Sequence, residues 1–425
     1  MASRAANLWE ETAVAAPGTP PLEDSTVAEI AIIGAGYLGL SAALHLAEAG
    51  ASVVIIEAEM PGWGASGRNG GQIIPGLKYD PDELEAKFGK ERGERLWRFA
   101  GRTADVVFDL VERHQLRAEA RRTAWVQAIH SEKAAVRARQ RAAQWQRRGA
   151  PVEYLDAAAT AAVVGNDRYV GAFVDRRGGA LHPLSYAREL ARAAIGKGAR
   201  ICGGSRVSAI EHEGRWRVTT ARGAHIDCDT VLVCTNAYSN GLVDGLAPSI
   251  VAANSLQIAT APLPEAVRRK ILPGGEVLSD TRNIIRYYRL DRDGRLIMGG
   301  RGPYREPGPE RDWAHLKRDV HDLFPALRGI EFTHRWGGRV AIHPDYLPHL
   351  HEPAAGMLVA IGCQGRGIGW QTAIGIELAK RVLDRAHQLP LSFVPVRPIP
   401  FHAFKAIGSS ALIATYRALD ALRLS

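Results

Sequence analysis

Two periods of apolar residues run through this chain. From 29 to 33 an Ile- and Ala-rich run follows Glu29 without a break, the pattern of a short strand buried on both faces. A glycine-rich turn comes next, and 40–49 then places its apolar residues at helical spacing until Gly50 stops it. A second β-branched run, 53–56, ends at Glu57. Strand, turn, helix and strand in that order predict a parallel βαβ unit. Further on, 82–113 reads as mostly helical. A strand at 123–129 precedes an Arg-rich helix at 131–148, and short strands follow at 152–155 and 170–175. From 254 to 300 alternating apolar runs predict antiparallel strands, with 284–290 and 296–300 flanking the turn 291–294. Residues 410–424 are apolar at helical spacing, with Arg417 and Arg423 among them, and predict a tail helix packed on its own protein.

Each part of the first unit has a physical role. Gly34 permits the tight turn, Gly36 lets backbone approach a pyrophosphate, and Gly39 lets helix and strand pack. The helix N-terminus offers unpaired N–H groups and a positive dipole end to phosphates. Glu57 lies 23 residues after Gly34, where an acidic side chain accepts hydrogen bonds from a ribose diol and disfavours a 2′-phosphate. A glycine fingerprint alone is a weak signal. Here strand, turn, helix, second strand and acid agree, and together they predict dinucleotide binding.

The chain has 425 residues, 46% hydrophobic and 23% charged, which suits a folded protein and excludes disorder as its main state. Lys and Arg outnumber Asp and Glu by 54 to 45, a net charge of +9. The arginines are spread along the whole chain rather than gathered in a block, so no nucleic-acid partner is expected. Cys202, Cys228, Cys234 and Cys363 form no Cys-x-x-Cys pair and share no zinc spacing with histidines. No metal is expected, and a reducing compartment is. Positions 1–24 lack the apolar centre of a signal peptide, and the longest apolar region, 27–58, is broken by glycines, His45 and Glu48. A cytoplasmic protein without a transmembrane segment is the expectation.

Segment 62–72 bears on which dinucleotide. It has five glycines in eleven positions, with Ser66, Arg68, Asn69 and Gln72 interleaved as donors. Such a loop exposes backbone N–H groups to a second phosphate or a ring, and ordinary NAD enzymes do not follow the ribose acid with it. With this motif the chain resembles the superfamily of FAD-dependent glycine, sarcosine and D-amino-acid oxidases, and in it the branch of γ-glutamylputrescine oxidase and related amine or imino-acid oxidases. The resemblance runs along most of the chain. It takes in 178–186 with the helix after it at 191–200, the run 231–238 and the strand pair 287–289 and 295–300. It continues through 336–339 with Pro344, Asp345 and Pro348, and ends in the loop 362–369.

That resemblance implies an α/β fold with a discontinuous Rossmann-like FAD-binding domain, 25–85, 178–240 and 335–395. A mixed, largely antiparallel α/β substrate domain would take 86–177 and 241–334, with an N-terminal extension, 1–24, and a C-terminal tail helix, 396–425. FAD would be noncovalent, since no Cys falls between Cys234 and Cys363, where flavin-linking relatives carry one. Its implied contacts are Gly34, Gly36, Tyr37, Leu38 and Gly39; Glu57 and Ala58; Gly64, Ala65, Ser66, Arg68, Asn69, Gly70, Gly71 and Gln72. Val207, Thr235, Asn236, Arg339, Gly365, Gly367, Ile368 and Gly369 complete the set. The implied reaction oxidises the C–N bond of a carboxylate-bearing primary or secondary amine to an imine by hydride transfer to flavin, with oxygen as acceptor. γ-Glutamylputrescine and L-pipecolate exemplify the substrate. Two alternatives stay open: a dehydrogenase passing electrons to a quinone or carrier, and a flavoprotein that modifies tRNA.

Four residues are candidates for the chemistry: Arg366, Tyr287, Tyr288 and Arg286. Arg366 lies in the loop 362–369, where related oxidases often carry His, and is expected near the isoalloxazine. On the predicted strand, Tyr287 and Arg289 share one face while Arg286 and Tyr288 share the other. A tyrosine can orient the amine and an arginine can clamp a carboxylate; Arg301 and Arg339 are further carboxylate candidates. The amine must bind neutral, because an ammonium nitrogen has no free lone pair, and a positive neighbour or burial lowers its pKa. His182, before Pro183, reads as a structural hydrogen-bonder, and His343 is ambiguous. Trp63 and Trp370 suit either a flavin face or the core. In one respect the chain departs from the pattern: sarcosine-oxidase-type enzymes carry a Lys after the final glycine-rich loop, and Gly369 stands there. That departure leaves the electron acceptor open.

Overall fold

The computed structural model describes residues 7–402 and, beyond them, 415, 416, 419, 420 and 422. Ile30–Ile33 and Val53–Ile56 are strands with every residue buried. The helix between them, Tyr37–Glu48, starts ahead of the apolar spacing because Gly36 already serves as its N-cap. A six-stranded sheet surrounds this unit in the order Arg200–Cys202, Val53–Ile56, Ile30–Ile33, Thr230–Val233, Met357–Ile361, His349–Ala354. Its neighbours are parallel apart from the last pair.

Alternation along these strands divides two cores. Ile30, Ile32, Val53 and Ile55 join the helices Tyr37–Glu48, Pro183–Gly196 and Gly367–Leu383 on one face. Ala31, Ile33, Val54 and Ile56 face the other way, onto a four-stranded sheet running Thr26–Val27, His225–Cys228, Arg215–Thr220, Val207–Glu213. Burying each large aliphatic side chain contributes about 1.5–3 kcal/mol, so both faces stabilise the strand order. Ser41 Oγ donates to the Thr372 carbonyl at 2.8 Å and ties the first helix to Gly367–Leu383.

A second sheet has eight strands, ordered Phe332–Ile342, Val251–Pro262, Arg295–Arg301, Tyr287–Leu290, Val277–Asp280, Trp125–Ile129, Gly171–Asp175, Val152–Asp156. Only Val277–Asp280 and Trp125–Ile129 pair in parallel. One face, carrying Leu256, Leu278, Tyr288 and Met298, packs on the helices Ala157–Val164 and Ala314–Leu323. The other carries Trp125, Val277, Ala259, Ile297 and Trp336 toward the glycine-rich loops. The mixed α/β class read from the sequence is the one observed.

Local differences have local causes. The helical stretch after 82 divides into Pro81–Phe88 and Lys90–Arg113, because Gly89 sits at φ 82° and breaks the helix. The strand expected at 284–290 spans only Tyr287–Leu290. The Asp280 carboxylate accepts the backbone N–H groups of Arg282 and Arg286 and folds the intervening residues into a loop. The tail helix expected at 410–424 lies outside the described residues, apart from the five named above. Among the described residues, no helix is long and apolar enough to cross a membrane.

Candidate active site

The strands Ile30–Ile33, Val53–Ile56, Thr230–Val233 and Met357–Ile361 run parallel, so their carboxyl ends meet at one edge. Open α/β sheets bind ligands in the crevice at that edge. Gly34 makes the first turn there at φ 107°, and a Cβ on it would stand 3.0 Å from the Cys234 carbonyl oxygen. No side chain caps the helix Tyr37–Glu48 at Gly36. Ser66 Oγ accepts the Tyr37 N–H at 3.0 Å and leaves the rest of that positive end open. Glu57 reaches back from the second strand; its oxygens accept from Ala35 N at 2.8 Å and Glu59 N at 3.0 Å. Burial pushes its carboxyl upward, and those two N–H groups oppose the shift. Leu38 and Gly39 are buried in the helix, and Ala58 follows Glu57 at the rim. A second helix, Gly367–Leu383, also begins here without a side-chain cap, Arg366 being its N-cap and Ile368 buried. Gly365, at φ 82°, and Gly369 flank that start.

The loop 62–72 lies across this edge. Arg68 stacks over Trp63 at 4.1 Å, and Trp63 meets Tyr238 edge-on at 5.7 Å, beside Gly64. The turn Ala65–Gly67 leads to Asn69, whose Oδ1 accepts from Gly71 N at 2.9 Å. Asn69 Nδ2 donates to the Tyr37 hydroxyl at 3.0 Å, and that hydroxyl reaches the Ser66 carbonyl at 2.5 Å. Three successive carbonyls, Arg68, Asn69 and Gly70, accept from side chains: Gln257 and Trp336 on the first, Trp9 on the second, Arg289 on the third. Gln72 Nε2 donates to the carbonyls of Leu278 and Tyr288. Asn236, at φ 45°, accepts from Gly362 N at 3.0 Å and so links two of the edge loops. Thr235 pairs with Ser239 at 2.7 Å. Val207 is set back in the second core.

The eight-stranded sheet supplies the facing wall. Ser255, Gln257, Tyr287, Gly299 and Arg301 share one side of three adjacent strands. The Tyr287 ring lies flat on Gly299, where any Cβ would overlap it at 2.0 Å. Its hydroxyl meets Ser255 Oγ at 2.7 Å, and burial pushes it up to about 12, so it is a phenol at neutral pH. Among the described residues, Gln257 Oε1 is buried without a partner. Arg301 stacks over Tyr304 at 4.7 Å, its Nε is buried without a partner among the described residues, and burial lowers its pKa. Farther along the same face, Arg366 lies over Trp125 at 5.1 Å and donates to the Pro75 carbonyl. Burial, then the neighbouring Arg141, pushes Arg366 down to about 9. Asp80 and Asp175 oppose the shift, and a guanidinium stays charged at neutral pH regardless.

Other candidates lie elsewhere. Arg286 pairs with Asp319 at 2.6 Å and Asp322 at 3.3 Å, and Tyr288 is buried against Phe324 with centroids 5.5 Å apart. Both belong to the opposite face of the sheet, as strand alternation requires. Arg289 is on the inner face but committed: its Nε donates to the Gly70 carbonyl at 2.7 Å and its Nη2 to the Leu181 carbonyl at 2.9 Å. Arg339 pairs with Glu306. His182 caps the helix Pro183–Gly196, accepting from Ser185 N at 3.1 Å. His343 stacks on His349 at 3.7 Å, and Trp370 packs edge-on against Phe99 at 5.3 Å. Sequence reasoning passed over Ser255 and Gln257. Their signal was a pair of polar residues two apart, hence on one face, in a strand that also carries Asn254 and Thr260.

These residues fit FAD. The crevice has two helix N-termini whose N-cap residues make no side-chain cap, a carboxyl group at the end of the second strand and, among the described residues, a buried amide oxygen with no donor. A family model described as FAD dependent oxidoreductase (DAO) matches residues 29–381. The chain is 33% identical over 390 residues to the probable oxidoreductase OrdL of Rhizobium meliloti (strain 1021), covering 90% of this chain and 89% of that one. It is 30% identical over 401 residues to the gamma-glutamylputrescine oxidoreductase of Escherichia coli (strain K12), 94% of each. Glycine oxidase from Geobacillus kaustophilus has a similar crystal structure, with a TM-score of 0.71 at 20% identity over 88% of this chain and 99% of that one.

Proposed function

The chain belongs to the DAO family of FAD-dependent oxidoreductases, and from that premise we propose that it oxidises the C–N bond of an amine carrying a carboxylate. The observation that carries this is Arg301. Its guanidinium lies on the inner face of the substrate wall beside the Tyr287–Ser255 pair and, among the described residues, has no ion pair and a buried, unpartnered Nε. Arginine forks match carboxylates, and a buried cation without an anion is costly. A substrate carboxylate at Arg301 would satisfy both demands and put the rest of the molecule over Tyr287.

FAD, when bound, supplies the two-electron acceptor. Gly34, Gly36 and the open end of Tyr37–Glu48 would hold its pyrophosphate, Glu57 its ribose, and the 64–72 loop its ring system. We assign the binding as noncovalent; acid precipitation should then release the yellow colour. Tyr287, protonated at neutral pH, offers the amine a hydrogen bond rather than a base. With Arg301 paired to the carboxylate, the remaining positive charge of Arg366 and burial of the amine disfavour an ammonium, which keeps the nitrogen lone pair free.

A second reading concerns the acceptor. A Cβ at Gly369 would stand 3.1 Å from Thr103 Oγ1, so the helix Lys90–Arg113 occupies the space that a lysine would need there. This favours an electron carrier over oxygen. The test is anaerobic mixing of the yellow protein with γ-glutamylputrescine, L-pipecolate and putrescine in separate cuvettes. Bleaching by a carboxylate-bearing amine and not by putrescine is expected. Equal bleaching by putrescine, or none by any of the three, would overturn the carboxylate reading. Slow recolouring in air but fast recolouring with a quinone would favour the carrier.

A further inference from the structure

Ahead of the first strand, residues 7–15 form a strap across the seam between the two walls. Asn7 caps the short helix Leu8–Thr12 by accepting from Trp9 N at 3.1 Å. Leu8 and Trp9 are buried in one cluster with Leu184, Ala259, Ile297 and Trp336. The Trp9 indole meets His182 edge-on at 4.9 Å and Trp336 at 5.7 Å, and the Arg289 guanidinium lies over it at 5.2 Å. Its Nε1–H donates to the Asn69 carbonyl at 2.9 Å. Glu11 pairs with His334 at 2.9 Å on the sheet side, and Val14 accepts from Arg188 at 2.7 Å on the helix side.

A trans peptide holds its C=O and N–H in one plane and pointing in opposite directions, and the described chain has no cis peptide. When Trp9 holds the Asn69 carbonyl, it therefore fixes the direction of the Gly70 N–H, which points away from the strap. No partner for that N–H exists among the described residues. Its flanking carbonyls, on Arg68 and Gly70, are held from the sheet by Gln257, Trp336 and Arg289. The peptide thus has little freedom to turn. Gly70 is half-buried, so water can reach this N–H in the open crevice, but a ligand that seals the loop must accept from it or leave it unpaired at a cost.

We propose that Trp9 is a positioning residue for the flavin: it aims the Gly70 N–H at an acceptor atom of bound FAD. The inference rests on the FAD reading of the crevice. It gives the N-terminal extension a role at the site, although Trp9 itself bonds to the loop only at the Asn69 carbonyl.

Two variants separate positioning from packing. Trp9→Phe keeps a buried ring but removes the N–H donor, whereas Leu8→Ala thins the same cluster without touching Asn69. FAD affinity of the apoprotein, the visible band of bound FAD and the melting temperature of the apoprotein are read for each. Trp9→Phe should weaken FAD about fivefold, the worth of one net hydrogen bond, and displace the visible band, with a small change in melting temperature. Leu8→Ala should lower the melting temperature and leave the band in place. Trp9→Phe with wild-type affinity and band, or Leu8→Ala moving the band equally, would overturn the proposal. A wild-type protein that binds no FAD would overturn the underlying reading, and is recognised without either variant.

Discussion

The wall formed by 34–39, 62–72 and 362–367 presents mainly backbone groups: helix N-termini, turn amides and carbonyls turned outward. The wall formed by the eight-stranded sheet presents side chains: Ser255, Gln257, Tyr287 and Arg301 on a flat surface. The difference suits what each would hold. A cofactor of fixed shape can be gripped by backbone whose geometry is set by turns, and such a grip tolerates little change in the residues that make the turns. A substrate differs from one enzyme to the next, and side chains on a sheet can be exchanged without altering the strands beneath them. The two walls should therefore fail differently when mutated.

The largest effect is expected on the backbone wall. Gly34→Ala would force an L residue to φ 107° and bring a Cβ to 3.0 Å from the Cys234 carbonyl. Strain of this kind costs about 1–3 kcal/mol, which corresponds to FAD affinity lower by roughly 10- to 100-fold if the turn cannot form without relaxing. Titration of the apoprotein with FAD, followed by flavin fluorescence, measures it. Wild-type affinity in this variant would break the contrast, because the grip would not depend on the turn.

The same difference governs what could be read from the sequence. Gly34, Gly36, Gly39 and Glu57 were legible because positive φ, close approach and a fixed strand–helix–strand spacing restrict which residues can stand there. Arg301 and Tyr287 were visible as residue types, but nothing in a strand pattern says which of two faces meets the cleft. Arg286 and Tyr288 were equal candidates on alternation alone, and only the packing of Tyr288 on Phe324 assigns their face. Arg289 shows a subtler limit: it lies on the inner face, yet two backbone carbonyls have already taken its donors. The strap was illegible for another reason. Trp9 acts across 60 residues of sequence through a single carbonyl, and no local pattern records such a contact.

On the side-chain wall, Arg301→Gln removes the free charge and keeps the strand. The KM for a carboxylate-bearing amine should rise roughly 10- to 100-fold, the range for a hydrogen bond to a charged group, with kcat changed much less. FAD affinity should stay near wild type. Tyr287→Phe, whose ring would still lie on Gly299, should lower kcat about fivefold through loss of one hydroxyl. Steady-state kinetics at saturating FAD, paired with the FAD titration, checks both. Loss of FAD in Arg301→Gln would mean the two walls are not separable.

The smallest effect concerns the seam, at His182. Its Nδ1 accepts the Ser185 N–H, so its proton sits on Nε2 and is donated to Thr12 Oγ1 at 3.0 Å, which joins the strap to the helix Pro183–Gly196. Burial, then the nearby Arg289, pushes its pKa down to about 3. In the unfolded chain a histidine titrates near 6.5. The unfolded state therefore binds the extra proton as pH falls below about 6.5, and stability that is fully present above that pH drains away toward pH 3. Between pH 6.5 and 5 the linkage is worth up to about 2 kcal/mol. Glutamine can accept from Ser185 and donate to Thr12 but does not titrate, so His182→Gln should flatten this part of the acid profile. Melting temperatures at pH 7 and pH 5 should differ by about 2 °C less in the variant than in the wild type. An unchanged difference would mean that the seam does not yield first in acid, and that the two walls part elsewhere.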